Sequence, residues 1–339
     1  MKILVTGGTG YIGSHTVVEL QKSGYEVVIV DNLSNSTIGV VDQIAKISGT
    51  RPVFEKVDLS REDETIGFFR KYNDIGAVIH FAAYKAVGES VLEPLKYYSN
   101  NIMSLINVLN CMKEHCIHHL VFSSSCTVYG QPDELPVTEN AAVKKALSPY
   151  GYTKQVCEHM IQDFSPASGL QAIILRYFNP IGAHDSALIG ELPAGIPNNL
   201  MPYITQTAIG KRECLDVYGG DYNTPDGTAI RDYIHVVDLA KAHVIALRYL
   251  SDQKNKKPVE IFNLGTGKGY TVLEVIRSFE KMSGVSLQYK ISKRRPGDIE
   301  KVWADNSRAN KILNWKAERD IDDMTSSAWK WELRLKNNK

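Results

Sequence analysis

The chain has 339 residues, 43% hydrophobic and 23% charged, and its 39 basic and 38 acidic side chains leave a formal net charge of +1. That is an ordinary globular balance, long enough for two domains. It offers no field for a nucleic acid or an anionic membrane, and no apolar run reaches the length of a membrane span or a signal-peptide core. Five cysteines (Cys111, Cys116, Cys126, Cys157 and Cys214), an odd number without C-x-x-C spacing, exclude a disulfide framework or structural zinc site and point to reduced thiols in a cytoplasmic protein.

The first predicted strand, KILVT (2–6), runs straight into Gly7, Gly10 and Gly13, and an amphipathic helix follows over 12–23. Glycines at this spacing let a backbone turn sharply and approach a pyrophosphate, with the free N–H groups of the helix start facing it. The second strand, EVVIV (26–30), ends in Asp31. A carboxylate there accepts both hydroxyls of an adenosine ribose and repels a 2′-phosphate. No arginine follows in DNLSNS, so the expected cofactor is NAD rather than NADP.

Further strands are predicted at 52–57, 77–81, 119–124 and 171–177, with helices at 37–48, 61–72, 94–115 and 150–164. Asp58 ends the third strand and is placed to meet an adenine edge. Near-continuous apolar strands alternating with helices predict a Rossmann-type, doubly wound parallel sheet of the α/β class. Within this stretch, SPYGYTK puts Ser148 at a helix cap, Pro149 at its first position, and Tyr150 and Lys154 one turn apart on one face. After about residue 179 a Gly-, Pro- and Asn-rich region reads as a long functional loop. Helices then recur near 198–210, 236–250, 271–283, 306–313 and 320–335, with strands near 215–218, 259–263 and 286–290. This smaller C-terminal part is expected to be a mixed α/β substrate domain. His115, His118 and His119 are expected to be surface or capping residues rather than a metal site. Trp329 and Trp331 are expected to be packing residues.

TGGTGYIG, VIHFAAYKAVGES (78–90), FSSSCTVYG (122–130) and SPYGYTK (148–154) occur in the order found in the extended short-chain dehydrogenase/reductase family, which the chain resembles over nearly its whole length. RYFNPIGAH, GIPNNLMPY, DGTAIRDYIHVVDLA and RRPGD are similar to the blocks of those members that epimerise a UDP-hexose at sugar carbon 4. The resemblance implies an isomerase that interconverts UDP-glucose and UDP-galactose in galactose metabolism. NAD takes a hydride from carbon 4, the 4-keto sugar rotates, and the hydride returns to the opposite face. The implied base is Tyr150. Lys154 is expected to favour the phenolate together with the nicotinamide ring, and to bond the nicotinamide ribose. Ser125 is expected to bond the reacting hydroxyl.

The implied cofactor contacts run along the first half of the chain. They are Gly7, Gly10, Tyr11, Ile12 and Gly13; Asp31, Asn32 and Asn35; Asp58 and Leu59; Phe81, Ala82, Ala83 and Lys85. Asn100, Ser125, Tyr150, Lys154 and Phe178 complete them. For the UDP-sugar, Arg231 and Arg295 are the implied cations on the diphosphate, and Asn179, Asn199 and Leu200 lie along the loop region. Tyr218 is placed by the uracil, Asp298 on the uridine ribose, Tyr233 in the matching RDY block, and Val302 near the sugar's 2-position. Together with Ser125 and Tyr150 these form the expected substrate set. The expected domains are 1–179, to which 233–265 return, and 180–339, with the site in a cleft between them. A homodimer pairing 94–115 and 150–164 across a two-fold axis is also implied.

Val302 replaces a tyrosine of many relatives, so the acetylated sugars UDP-GlcNAc and UDP-GalNAc are expected as further substrates. Two alternatives stay open: another nucleotide-sugar epimerase or dehydratase of the family, and a non-catalytic NAD-binding regulator. Sugar 4,6-dehydratases carry an Asp–Glu pair where this chain has Cys126 and Thr127, and regulators usually lose the Tyr–Lys pair.

Overall fold

The structure is a computed structural model that describes residues 1–295 and 298–337. In chain order the first half contains β1 (Lys2–Thr6), α1 (Tyr11–Lys22), β2 (Glu26–Asp31), α2 (Gly39–Ser48), β3 (Val53–Lys56) and α3 (Glu62–Lys71). It continues with β4 (Ile75–His80), α4 (Val87–Leu92), α5 (Pro94–Glu114), β5 (His119–Ser125), α6 (Pro149–Ser168) and β6 (Gln171–Tyr177). The second half runs β7 (Asn179–Ile181), α7 (Leu200–Ala208), β8 (Leu215–Tyr218), β9 (Ile230–His235), α8 (Val236–Ser251) and β10 (Val259–Leu264). It ends with β11 (Gly269–Thr271), α9 (Val272–Ser283), β12 (Tyr289–Ser292), β13 (Lys301–Val302) and α10 (Ile321–Asn337).

Seven strands form one sheet in the order β10-β6-β5-β4-β1-β2-β3. The pairings from β3 across to β6 are all parallel. Leu4 sits in register between Val28 and Val78, and all three are buried. Helices cover both faces of such a sheet, which is why its strands are apolar without alternation. Strand order reverses between β1 and β4. The carboxyl ends of those two strands therefore open a crevice, the usual ligand position in a doubly wound sheet.

The chain divides into two units. Unit 1 comprises Met1–Gly130, Ala142–Tyr177 and Ala240–Phe262, and unit 2 comprises Gln131–Ala141, Phe178–Leu239 and Asn263–Lys339. The return to the first unit thus starts later than the expected 233, because β9 pairs with β7, β11 and β13 and belongs with them. Residues 131–141 also sit in unit 2, where Val137 N donates to Trp303 O at 2.9 Å. Unit 2 has its own core, including Ile181, Ile204, Val217, Val275, Phe279 and Met324.

Helix α6 runs to Ser168, beyond the predicted 164, with Pro166 inside its last turn. The predicted helix at 306–313 is helical over 307–313, with a π-helical turn at Ala309–Leu313. The short strands β7, β9, β11 and β13 were not legible. They hold two to six residues each, and β9 carries Arg231 and Asp232 side by side, which hides its alternation.

Candidate active site

Strand β1 leaves the sheet through a turn that glycine alone fits. Gly7 has a φ of +66°, and a Cβ there would come within 2.9 Å of Ala82 N. A Cβ on Gly13 would lie 2.3 Å from Gly7 O. Gly8, which the spacing does not single out, faces Ile29 of β2, 2.8 Å from where its Cβ would stand. Gly10 caps α1 in an extended conformation, with no side-chain cap and no acidic residue in the first turn. The helix end therefore keeps its N–H donors and positive dipole end for an anion. Tyr11 and Ile12 follow in that first turn, and Lys85 Nζ lies 5.9 Å from the Tyr11 ring.

At the end of β2, Asp31 accepts from Leu33 N at 2.9 Å and from Thr9 N at 3.3 Å. This ties the carboxylate to the glycine turn. Asn32 accepts from Ser34 N at 3.0 Å, and Asn35 is exposed beside it. Asp58 accepts from the main chain and hydroxyl of Ser60 at 3.0 and 2.7 Å. Leu59 is buried, and its carbonyl accepts from Asn107.

The 81–83 run after β4 is held by Thr6, whose Oγ1 accepts from Phe81 N at 3.1 Å and Ala82 N at 3.2 Å. With both accepting directions used, its hydroxyl donates to His80 Nδ1 at 3.0 Å, so His80 carries its proton on Nε2. Burial, then the charge of Lys154, pushes His80 down to about 3, so this imidazole is neutral. Asn101, absent from the sequence-based site, accepts from Tyr84 N at 2.8 Å and from the neighbouring Asn100 at 2.9 Å. Its amide donates to Tyr84 O at 3.0 Å and Thr153 Oγ1 at 3.2 Å, which ties this loop to α6.

Ser148 caps α6 by accepting from Gly151 N at 3.1 Å, with Pro149 in the first turn. Tyr150 and Lys154 follow on one face, 8% and 4% exposed. The three serines that end β5 divide their work. Ser125 hydrogen-bonds the Tyr150 phenol, Ser123 bonds the Tyr177 hydroxyl, and Ser124 donates to Glu158 at 2.5 Å. Burial raises the Tyr150 phenol above its ordinary range, Tyr177 adds to this, and the Ser125 bond works against it. Lys154 is bonded to the strand that carries Ser125. Nζ donates to Ser123 O at 2.7 Å and lies 4.9 Å from the Phe122 ring centre. Burial brings Lys154 itself down to about 8.

In unit 2 the predicted residues form small groups. Arg295 pairs with Asp298 at 2.9 Å, and its guanidinium lies 5.5 Å from the Tyr218 ring. Asn179 is in register with Tyr233, and Val302 with Arg231, across β9. Tyr233 is buried and pushed up to about 12 by that burial. Phe178 is buried, and its N–H donates to Leu264 O at 3.1 Å. Asn199 and Leu200 stand at the start of α7, where the Asn199 amide donates to Glu191 at 2.6 Å. Sequence reading missed Asp232, whose carboxylate accepts from Thr266 N at 2.8 Å, Gly267 N at 3.0 Å and Ala304 N at 3.1 Å. It holds the 265–267 turn and the residues after β13 to β9. Among the described residues no His, Cys, Asp and Glu group of three or more is gathered as metal ligands. No described helix is long and apolar enough to cross a membrane.

A family model described as GDP-mannose 4,6 dehydratase matches residues 4–328. The UDP-glucose 4-epimerase of Dictyostelium discoideum is 52% identical over 332 residues, covering 98% of this chain and 95% of that protein. The chain belongs to the UDP-glucose 4-epimerases of the extended short-chain dehydrogenase/reductase family. A crystal structure of the Stenotrophomonas maltophila UDP-glucose-4-epimerase, with bound NAD and formylated UDP-arabinopyranose, is 48% identical. It covers 100% of both chains with a TM-score of 0.96. The Bifidobacterium longum epimerase in complex with NAD+ and UDP is 46% identical, with a TM-score of 0.95 and 100% of both chains covered.

Neither position that the dehydratases fill with an acid–base pair is acidic in this chain. The positions after Ser125 are Cys126 and Thr127, in a 3-10 turn that Ser125 caps by accepting from Thr127 N at 3.3 Å. The resemblance to the family was legible in contiguous blocks. Asn101, His80 and Asp232 were not, since each acts through partners distant in sequence.

Proposed function

We propose that the chain interconverts UDP-glucose and UDP-galactose with NAD as its resident cofactor. The observation that carries this is Ser125 bonded to the Tyr150 phenol with Lys154 one turn further along α6. The residues fit the cofactor. Gly7, Gly10 and Gly13 leave the space and the bare helix end that a pyrophosphate needs. Asp31 suits the adenosine ribose, Asp58 and Leu59 the adenine, and the 81–83 run and Asn100 the middle of the molecule. Bound NAD would accept a hydride from sugar carbon 4 and return it on the other face.

Tyr150 takes the proton of the sugar's 4-hydroxyl and later gives it back. Ser125 bonds both that hydroxyl and the phenol, so it orients the transfer. Lys154 supplies positive charge beside the phenol and a donor for a ribose hydroxyl. The UDP moiety falls to unit 2. Arg231 and Arg295 meet the diphosphate, Asp298 the uridine ribose and Tyr218 the uracil; Asn179, Asn199, Leu200 and Tyr233 line the path.

We also propose a homodimer built on α4, α5 and α6. Val91, Leu92, Leu95 and Tyr152 on these helices are 60%, 80%, 75% and 50% exposed. A reducing compartment suits the five free thiols.

The test is to incubate the purified protein with UDP-galactose and no added NAD, and to follow UDP-glucose by proton NMR. Conversion is expected. No conversion, even after NAD is supplied, overturns the reading.

A further inference from the structure

The mechanism above leaves one buried ionic group without a role. Glu158 stands one turn beyond Lys154 on α6, and Arg176 lies on β6 directly opposite Ser124 of β5. Both charged residues are 3% exposed. Arg176 Nε donates to Glu158 Oε1 at 2.9 Å and to Oε2 at 3.2 Å, and a terminal N–H donates to Oε2 at 2.5 Å. Ser124 donates to Oε1, and the guanidinium lies 4.8 Å from the Tyr129 ring. Replacing a buried ion pair with apolar residues is often neutral or stabilising, so stability alone does not account for this one.

Its position suggests the role. Successive strand residues face opposite ways, so Ser124 binds Glu158 while Ser123 and Ser125 face the reacting side. Besides the Ser125–Tyr150 contact, helix α6 is thus fastened to the end of β5 by Lys154 on Ser123 O and by Glu158 on Ser124. The same pair governs the charge around Lys154. Of the groups facing it, Cys157 on α6 is pushed up to about 11, Tyr177 on β6 to about 12, and Tyr150 is also raised. His80 on β4 is pushed down to about 3. All four are therefore uncharged at pH 7. Burial weakens the hold of Lys154 on its proton most, and Cys157 and then Glu158, both on α6 within one turn of it, oppose that.

We propose that Glu158 is a positioning residue for the reaction: with Arg176 it locks α6 to the strand end that carries Ser125, and it is the anion that keeps the Lys154 ammonium charged in a buried site. The inference rests on the epimerase reading above, but its main readout does not need turnover. The protonation midpoint of Lys154 is obtained from the pH dependence of unfolding in denaturant. Each protein is compared with the same protein carrying Lys154→Met, so that only the lysine's contribution remains.

Glu158→Gln is expected to lower the midpoint by about one pH unit or more, since it removes the anion and leaves the Arg176 cation. Arg176→Gln is expected to raise it. The doubly neutral Glu158→Gln/Arg176→Gln protein leaves no buried charge unpaired, and carries the test if a single variant does not fold; its midpoint is expected to lie below the parent's. The alkaline limb of kcat with UDP-galactose is expected to move in the same directions, and Glu158→Asp to restore it. Movement of both single variants in one direction, or a midpoint in the double variant at or above the parent's, overturns the proposal. If the parent protein does not turn over UDP-galactose, the function reading fails while the midpoints still decide the role of Glu158.

Discussion

Lys154 donates its ammonium proton to the main-chain oxygen of Ser123 at 2.7 Å, while burial lowers its hold on that proton to about pH 8. A charged lysine is thus kept inside unit 1 against its own solvation. The arrangement suits a residue whose task is electrostatic, and it has a cost in stability.

Lys154→Met should therefore stabilise the fold at pH 7 while abolishing turnover. A depression from 10.5 to about 8 corresponds to about 3 kcal/mol, less about 1 kcal/mol for the lost hydrogen bond. The folded-state pKa lies below the unfolded one. The unfolded chain therefore binds more protons between about pH 8 and 10.5, and the parent gains stability as pH rises through that window. The advantage of the methionine variant should narrow there. Urea unfolding at pH 7 and pH 10 measures it, and a constant difference would refute the assignment.

Ser125→Ala should slow turnover by roughly 10²–10⁴-fold with little change in KM. It should also move the acid limb of kcat to higher pH, because the Ser125 bond is the contact that favours the Tyr150 phenolate. A slower enzyme with an unmoved limb would leave Ser125 with the sugar alone. The check is a pH series of initial rates with UDP-galactose.

The glycine turn, Asp31 and the Tyr150–Lys154 pair were legible because their geometry is local. A tight turn and one helical turn each write their spacing into the chain. The Arg295–Asp298 pair is just as local, three residues apart, but the two were read separately, one for the diphosphate and one for the uridine ribose. Glu158 and Arg176 are eighteen residues apart, and Asp232 reaches residues thirty-four and seventy-two positions on. No period or motif marks such partners. Strand β9 was hidden because Asp232, a charged residue inside it, is satisfied by those distant groups. The Asn199 amide bonds Glu191, a partner eight residues away inside an irregular loop that no spacing rule marks.

His80→Asn should flatten the acid side of the stability curve. The imidazole is held neutral, with its pKa lowered from 6.5 to about 3. Its contribution is fully present above pH 6.5 and is lost as pH falls towards 3, by up to about 1.4 kcal/mol per pH unit. Asparagine keeps an acceptor for the Thr6 hydroxyl but has no proton to gain. Denaturant midpoints at pH 7, 5.5 and 4.5 should fall less steeply in the variant; equal slopes would place the acid sensitivity elsewhere.

Val302 lies in β13 opposite Arg231 of β9 and is 4% exposed. We propose that its small side chain leaves room beside the sugar's 2-position. The parent should then epimerise UDP-N-acetylglucosamine as well as UDP-glucose. Val302→Tyr adds a ring at a buried position, and a poorly accommodated ring costs typically 1–3 kcal/mol. If the ring occupies the space of an acetamido group, kcat/KM for the acetylated sugar should fall by about tenfold or more relative to the plain one. The ratio of the two rates separates this from general damage, which lowers both alike. An unchanged ratio would mean that Val302 is packed inside unit 2 away from the sugar, and that substrate breadth is set by another residue.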